Sequence, residues 1–300
     1  MPNQGEHVPN KTMFDYTAMS TFLTCRRKYD FRINQGYVRS KDTQLAASFG
    51  GAIHHGLDSW YQDKDVARAV GVFKSEFVEN TEIDDKRTHR MGQYILEKYD
   101  ERYRDQPWVL VESEQTFNVP LPNGNRFIGR IDKVIKWNNC LWVVDHKTTS
   151  QLGATYFNMA EPNMQFVGYA WAMRQLGHDI KGVVVDAILV ASGLLPGPKQ
   201  NKNLTPFARY DTYYKQEHFD EWLQMVQSIQ HDIRVCEDSE EWYPNFDACT
   251  DYVECPYRRV CKEEKALRQR VLDADYVIEP WDPLQREGQP KLPTAPAKTA

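Results

Sequence analysis

The sequence has 300 residues, a net charge of −5, 41% hydrophobic residues and 26% charged residues. This composition is typical of a soluble globular protein, and it argues against a protein that coats nucleic acid through bulk positive charge. No apolar run approaches the roughly 20 residues of a membrane span, and the N-terminus lacks the basic and apolar parts of a signal peptide. We therefore expect a cytoplasmic protein without a membrane partner.

Apolar residues recur at helical spacing in the first third of the chain. Residues 1–14 are predicted to be a flexible start. The periodicity then predicts four helices: 16–34, 48–62, 64–79 and 85–104. Together they make up a helical part at 15–105.

Segments rich in β-branched and aromatic residues follow, and they indicate strands. Three strands are predicted to form an antiparallel meander: 108–119, 126–136 and 140–147. The turn sequences PLPNGN and WNN separate them. The rest of the central core at 106–214 is predicted to be a helix, a buried strand and an edge strand: 161–176, 182–192 and 207–213. This order is typical of a mixed α/β core with a helical flank.

The last part of the chain combines a long helix, predicted over 215–237, with most of the cysteines. Cys249, Cys255 and Cys261 are three of the six cysteines and lie close together. In a chain without a secretion signal, such clustering favours metal or redox chemistry over disulfides. A short charged helix completes the segment at 215–275. Residues 276–300 contain several prolines and little apolar material, so they are predicted to be disordered.

The densest candidate chemistry lies on the second and third strands of the meander. Asp145 and Lys147 alternate at the end of an apolar strand and therefore project to one face, and Asp132 lies on the neighbouring strand. Two carboxylates can hold a divalent cation that polarises a phosphodiester, and a lysine can stabilise the negative charge that develops. The alternative is a surface ion pair, which is the commoner reason for Asp-x-Lys at a strand end.

Two motifs in this region resemble a nuclease family. GRID ends at Asp132, and VVDHKTT contains Asp145 and Lys147. Together they resemble the PD-(D/E)XK nuclease superfamily, specifically its RecB-like branch. The resemblance implies a restriction-endonuclease-like fold over residues 15–275, with a mixed α/β sheet core, a flanking helical region and a Cys-rich C-terminal staple. It also implies an enzyme that hydrolyses DNA phosphodiesters with Asp132, Asp145 and Lys147 as catalytic residues.

Motifs outside these strands extend the resemblance. In FGGAIHHGL, the histidine that aligns with the metal ligand of the branch is His54, and His55 is expected to point elsewhere. Gln165 and Tyr169 match the motif Q-x-x-x-Y, and their spacing places them on one helix face. The resemblance implies that this helix face binds the substrate. It also implies that Mg²⁺ or Mn²⁺ is bound by four groups: His54, Asp132, Asp145 and the backbone carbonyl of His146.

The resemblance further implies an exonuclease that acts on single-stranded DNA ends. Relatives act in recombination, repair, and phage or CRISPR DNA processing in bacteria or phage-infected cells. The sequence contains no G-x-x-x-x-G-K-[ST] motif, so a helicase or recombination protein would be a separate partner. A different function stays open: a catalytically idle DNA-binding or assembly subunit with a retained nuclease fold.

The cysteines add a second resemblance to the same branch. CPYRRVC at 255–261 resembles the last two ligands of its iron–sulfur staple, in which one ligand comes from the N-terminal helix and three from the C-terminal segment. Here those ligands would be Cys25, Cys249, Cys255 and Cys261. Four thiolates are what a [4Fe–4S] cluster requires. Zinc and incidental free cysteines stay as alternatives, and Cys140 and Cys236 are expected to be core residues.

Overall fold

The computed structural model describes four stretches of the chain: 13–39, 45–153, 155–250 and 254–284. Six strands in these stretches form one mixed sheet, and helices cover both of its faces. This is the mixed α/β architecture that the sequence predicts. Within the same stretches, no helix is both long and apolar enough to cross a membrane.

The N-terminal segment is helical but is interrupted at one residue. Its elements are β1 (Met13–Phe14), α1 (Tyr16–Thr24), α2 (Arg26–Tyr29), a π-helical turn (Asp30–Asn34) and β2 (Tyr37–Arg39). Asp15 caps α1 by accepting hydrogen bonds from the backbone N–H groups of Thr17 and Ala18. Cys25 has an extended backbone, with φ −165° and ψ 117°. The predicted helix over 16–34 is therefore broken at Cys25, which lies at the corner between α1 and α2.

The helical layer on one face of the sheet follows in sequence. It consists of α3 (Leu45–Asp63), α4 (Val66–Glu76) and α5 (His89–Tyr103). These helices correspond to the predictions at 48–62, 64–79 and 85–104. Large aromatic side chains such as Phe49 and Phe73 are completely buried in this layer. Burial of each such side chain stabilises the fold by about 2 kcal/mol.

The sheet contains the predicted meander. Its main strands are β3 (Val109–Pro120), β4 (Arg126–Trp137), β5 (Cys140–Thr149), β6 (Ile180–Leu189) and β7 (Phe207–Tyr213). β3, β4 and β5 pair antiparallel in that order, and β1 lies beside the start of β4. β6 pairs parallel with β5 after a helical crossover, and β7 is an antiparallel edge strand. The buried strand and the edge strand are therefore confirmed.

The opposite face of the sheet is covered by α1, α6 (Met164–Gln175) and α7 (Gln216–Ser239). Phe22, Phe166 and Trp222, one from each helix, meet in a single buried cluster with apolar side chains of the sheet. Asn163 caps α6 by accepting hydrogen bonds from the first-turn amides. This cap fixes the residue at which α6 begins. The first turn of α6 then faces the end of β5.

The C-terminal segment packs against the N-terminal one. It contains α8 (Arg258–Lys262), α9 (Arg268–Asp275) and β8 (Tyr276–Ile278). β8 pairs antiparallel with β2, and the indole Nε1 of Trp281 donates a hydrogen bond of 2.7 Å to Oδ2 of Asp15. The prediction of a disordered tail over 276–300 is therefore wrong for its first nine residues, because aromatic side chains in them pack on the N-terminal segment. Residues 285–300 lie outside the described stretches.

The start of the chain needs a similar correction. Met13 and Phe14 belong to the predicted flexible start at 1–14, yet they pair in parallel with β4. Phe14 is buried in the main core, and this burial explains why Met13 and Phe14 take a defined position on the sheet. Residues 1–12 lie outside the described stretches.

Candidate active site

The predicted acidic centre lies on the edge of β4 that faces away from β3, at the point where the pairing partner changes from β1 to β5. Near its start β4 pairs with β1, and near its end it pairs with β5. The two-residue turn at 138–139 has positive φ at both positions and fixes the β4–β5 register, as such turns do in hairpins. The last paired residues in this register are Lys133 and Val144. Asp132 and Asp145 come next, so the turn brings two carboxylates together where the strands separate.

Asp132 is held by a backbone amide and a histidine. Its Oδ2 accepts a hydrogen bond of 2.7 Å from the backbone N–H of His146. Its Oδ1 lies 3.4 Å from Nδ1 of His54 on α3. Because the N–H and C=O of one strand residue point to the same side, the carbonyl of His146 also points towards this centre.

A glycine one turn before His54 lets α3 lie close to the sheet. A Cβ atom at Gly50 would stand 3.0 Å from Oγ1 of Thr148 at the end of β5. A larger residue at Gly50 would therefore require Thr148 or α3 to shift by a few tenths of an ångström. His55 points elsewhere, as the sequence predicts, and its Nδ1 lies 2.9 Å from Oε2 of Glu76.

Asp145 and Lys147 project from β5 towards α6, on one face as their alternation predicts. The Nζ of Lys147 lies 3.0 Å from Oδ2 of Asp145 and donates a hydrogen bond of 3.1 Å to Oε1 of Gln165. The Nε2 of Gln165 donates in turn to the hydroxyl of Tyr169 at 3.0 Å. The structure thus joins the predicted catalytic lysine and the two predicted substrate-binding residues in one chain of polar contacts.

Burial and charge shift the pKa values of this centre in different directions. Burial raises the pKa of Asp145 to about 6, and the ion pair with Lys147 offsets only part of that shift. Burial acts on Asp132 as well, but the charge of His54 outweighs it and holds the pKa of Asp132 well below its usual range. Burial would lower the pKa of His54, yet the attraction of Asp132 raises it. Carboxylates with pKa values pushed apart in this way are typical of functional sites.

The donor set fits a hard divalent cation. Two carboxylates and a backbone carbonyl supply the oxygen ligands that Mg²⁺ and Mn²⁺ prefer, and His54 adds a nitrogen. The Oδ2 of Asp145 is buried and, among the described residues, accepts no well-aligned hydrogen bond although the Lys147 ammonium lies near it. Within the same part of the chain, no three His, Cys, Asp or Glu side chains form a complete metal site as they stand. Binding of a cation would therefore have to draw His54, Asp132 and Asp145 together.

The opposite face of β5 carries a polar network that the sequence analysis missed. His146, Asp186 and Arg209 occupy one row across β5, β6 and β7, and His146 and Asp186 are completely buried. Lys133, on β4, is also completely buried beside them. A signal was present, since Asp186 interrupts the apolar run VVVDAIL. A charge inside an apolar strand requires a buried partner, but the sequence does not reveal which residue that is.

The four cysteines predicted to bind metal line one cavity. Its other lining residues are Thr24, Lys28, Pro244, Asn245, Ala248 and Tyr257. All six cysteines lie in the described stretches and are free thiols. Burial raises the pKa of the Cys255 and Cys261 thiols. Cys140 and Cys236 lie elsewhere, packed into separate apolar clusters.

Aromatic packing joins the two ends of the chain beside this cavity. The ring of Tyr257 lies 5.4 Å from that of Phe31 and stacks on that of Tyr276 at 5.5 Å. The hydroxyl of Tyr257 donates to the backbone carbonyl of Tyr37. These contacts pack the N-terminal segment against the C-terminal segment, and Cys25 lies beside the C-terminal cysteines.

Comparisons with known proteins concern the family and the fold of the chain. The sequence matches the model of the PD-(D/E)XK nuclease superfamily over residues 14–262. No match was found among curated proteins. Among solved structures, a putative exonuclease from Eubacterium rectale is similar at 13% identity and a TM-score of 0.51, over 90% of this chain and 98% of that one. The structure of SSO0001 is similar at 13% identity and a TM-score of 0.39, over 85% and 88%.

Proposed function

Because this chain belongs to the PD-(D/E)XK nuclease superfamily, we propose that it is a metal-dependent nuclease that hydrolyses DNA phosphodiesters. The observation that carries the proposal is the convergence of Asp132, Asp145 and Lys147 where β4 and β5 separate, with His54 reaching them from α3. A mere surface ion pair would be open to solvent, whereas Asp145 is only 4% exposed. The arrangement therefore favours a functional centre over a surface pair.

Each residue of the centre has a proposed role. Mg²⁺ or Mn²⁺ would be held by His54, Asp132, Asp145 and the backbone carbonyl of His146. When bound by these residues, such a cation would polarise the phosphodiester and lower the pKa of bound water. Lys147 stays protonated, because the attraction of Asp145 outweighs the effect of burial and raises its pKa. Its ammonium group can therefore stabilise negative charge on the reacting phosphate.

The helix α6 is the proposed contact surface for the substrate. Gln165 and Tyr169 are both half-buried on one face of α6, and Gln165 also accepts a hydrogen bond from Lys147. A strand bound along this face would thus lie next to the reacting group. On the strength of the resemblance to the RecB-like branch, we propose single-stranded DNA ends as the substrate, in recombination, repair, or phage or CRISPR DNA processing. A helicase or recombination protein would be a separate partner.

A degradation assay on end-labelled DNA tests this proposal. Single- and double-stranded substrates, labelled at either end, are incubated with Mg²⁺, Mn²⁺ or EDTA. We expect single-stranded DNA to shorten from an end, and EDTA to stop the reaction. Internal cuts would instead identify an endonuclease. DNA binding without degradation in any metal would favour the idle DNA-binding or assembly subunit.

We also propose a metal centre at the cavity lined by Cys25, Cys249, Cys255 and Cys261. A tetrahedral zinc site needs four sulfurs about 2.3 Å from one ion, whereas the thiolates of a [4Fe–4S] cluster bind separate irons. The resemblance to the RecB-like branch favours the cluster, and zinc is the alternative. Metal and sulfide analysis of protein purified without oxygen separates them. Four irons per chain would support the cluster, one zinc would support zinc, and neither metal would contradict both.

A further inference from the structure

One residue of β5 connects the acidic centre to the opposite face of the sheet. The side chains of Asp145 and Lys147 point towards α6, and the ring of His146, between them in sequence, points towards α3 and α5. The main chain of His146 stays in the acidic centre, where its N–H donates to Asp132. Its ring also lies in edge contact with that of His54, with 5.8 Å between centroids. His146 therefore touches two of the proposed metal ligands.

The ring of His146 has a fixed anionic partner behind the sheet. Its Nδ1 lies 3.3 Å from Oδ2 of Asp186, and both side chains are completely buried. The same Oδ2 accepts a hydrogen bond of 2.5 Å from the hydroxyl of Tyr99. The other oxygen, Oδ1, lies 3.2 Å from Nε of Arg209. Among the described residues Oδ1 accepts no aligned hydrogen bond, but turning the carboxylate away from His146 would disturb the Tyr99 hydrogen bond and the ion pair with Arg209.

Arg209 anchors the far end of this row. Its guanidinium carbon lies 3.6 Å from the ring centroid of Tyr103 and 3.8 Å from that of Trp108. Its Nη1 also donates a hydrogen bond of 2.6 Å to Gln106. A planar guanidinium stacked on aromatic rings keeps its direction, so the row ends in a rigid cation.

We propose that the row His146–Asp186–Arg209 positions the metal ligands from behind the sheet. Stability alone is a poor explanation for it, because well-packed apolar residues often replace a buried ion pair without loss. The row fixes the His146 ring, and with it the surface on which His54 packs, at the residue whose N–H holds Asp132. Removal of such outer partners typically lowers metal affinity or activity 10–100-fold. The inference rests on the proposed function, since it concerns the same metal site.

The test measures Mn²⁺ binding directly, from the electron paramagnetic resonance signal of free Mn²⁺ during titration of the full chain without DNA. We expect Asp186→Asn and His146→Leu to weaken Mn²⁺ binding about 10-fold or more. His146→Asn keeps an N–H donor near the position of Nδ1 and should retain most of the affinity. Asp100→Asn is the matched control, because this buried carboxylate binds Trp60 and Arg104 instead of His146.

Wild-type Mn²⁺ affinity in both Asp186→Asn and His146→Leu would overturn the inference and leave the proposed function in place. Equal losses in Asp186→Asn and Asp100→Asn would overturn it too, because the cause would then be general loss of packing. If the wild-type chain binds no Mn²⁺, the proposed metal site itself is wrong and the inference falls with it. Where a variant fails to fold, Arg209→Lys replaces it, since it keeps the charge, loses the planar geometry, and should also weaken Mn²⁺ binding.

Discussion

The acidic centre and the four-cysteine cavity both gather residues that are far apart in sequence, but by different means. In the acidic centre the protein's own polar contacts set the geometry, as the bonds from the His146 amide to Asp132 and from Lys147 to its partners illustrate. In the cavity the thiol contacts are weak ones, such as the hydrogen bond of 3.3 Å from the Asn245 amide to Cys25, because sulfur is a poor acceptor. There the shape comes mainly from packing of the surrounding aromatic rings.

This difference is what we expect between a site with the proposed catalytic role and a site whose proposed role is to close the fold. Charges that are fixed before the substrate arrives need little reorganisation during the reaction. A closure site needs only thiols that face a common space, because the bonds to the metal themselves stabilise the folded state. We therefore expect changes in the acidic centre to remove activity and keep the fold. Changes at the cysteines should lower stability and keep the chemistry.

The largest expected effect is the loss of activity in Asp145→Asn. The variant removes the charge of a proposed metal ligand, and we expect the rate to fall about 1000-fold, which corresponds to about 4 kcal/mol in the barrier. The fold should persist, because asparagine has the same shape and avoids the burial of a charge. Hydrolysis of end-labelled single-stranded DNA and the melting temperature are measured together. Asp105→Asn on the surface is the control, and a wild-type rate in Asp145→Asn would contradict the site.

The next effect is a loss of stability in Cys25→Ala. If Cys25 binds the proposed metal, its removal opens a long loop between the two ends of the chain, and we expect the free energy of unfolding to fall by about 3 kcal/mol. The rate per folded molecule should stay within a few-fold of wild type. Urea unfolding and metal content are measured, with Cys140→Ala as the control that keeps both. If Cys25→Ala lost activity while its stability stayed unchanged, the cysteine cavity would serve the reaction and not the stability of the fold.

A third effect concerns pH. Burial, and then the charge of Lys133, lower the pKa of His146 to about 4, from about 6.5 in the unfolded chain. The resulting stabilisation is present above pH 6.5 and is lost as the pH falls towards 4, because the unfolded chain takes up the proton first. The raised pKa of Asp145 changes the stability in the opposite direction over part of this range. Wild type is therefore compared with His146→Asn, which keeps Asp145 and lacks only the titrating ring.

The expected result is a difference that depends on pH. Between pH 7 and pH 4, wild type should lose on the order of 3 kcal/mol of unfolding free energy relative to His146→Asn. Urea unfolding at a series of pH values measures it. A constant difference across that range would show that the ring of His146 is not kept neutral by its surroundings.

The smallest effect is expected at the docked C-terminal segment. Trp281→Phe removes the N–H that binds the buried carboxylate of Asp15, and we expect the free energy of unfolding to fall by about 1 kcal/mol. Tyr243→Phe, which removes an exposed hydrogen bond to Glu241, is the control and should change it by less than about 0.5 kcal/mol. No change in Trp281→Phe would mean that this segment contributes little to the stability of the fold.

Much of the fold could be predicted because local pattern and tertiary structure agree. The meander follows from alternating strands and from the turn at 138–139, whose two asparagines accept positive φ. That turn also fixes the register that brings Asp132 next to Asp145. The acidic centre could therefore be located from local information on two neighbouring strands.

The features that the sequence did not predict depend on contacts between residues that are distant in the chain. The break in the first helix at Cys25 and the docking of Trp281 onto Asp15 follow from packing between the two ends of the chain, and neither has a local signal. The partner of Asp186 could not be read from the sequence for the same reason, because strand order decides that it faces His146. Sequence periodicity carries no information about such pairings.

The most direct test of the central claim is the rate of DNA hydrolysis in Lys147→Met, measured together with Mn²⁺ binding. This variant removes the ammonium group but leaves His54, Asp132 and Asp145 in place to bind the cation. The acidic centre as described predicts Mn²⁺ affinity close to wild type and a rate of single-stranded DNA hydrolysis lower by about 100-fold or more. Hydrolysis at the wild-type rate with Mn²⁺ bound would show that this centre does not carry the reaction.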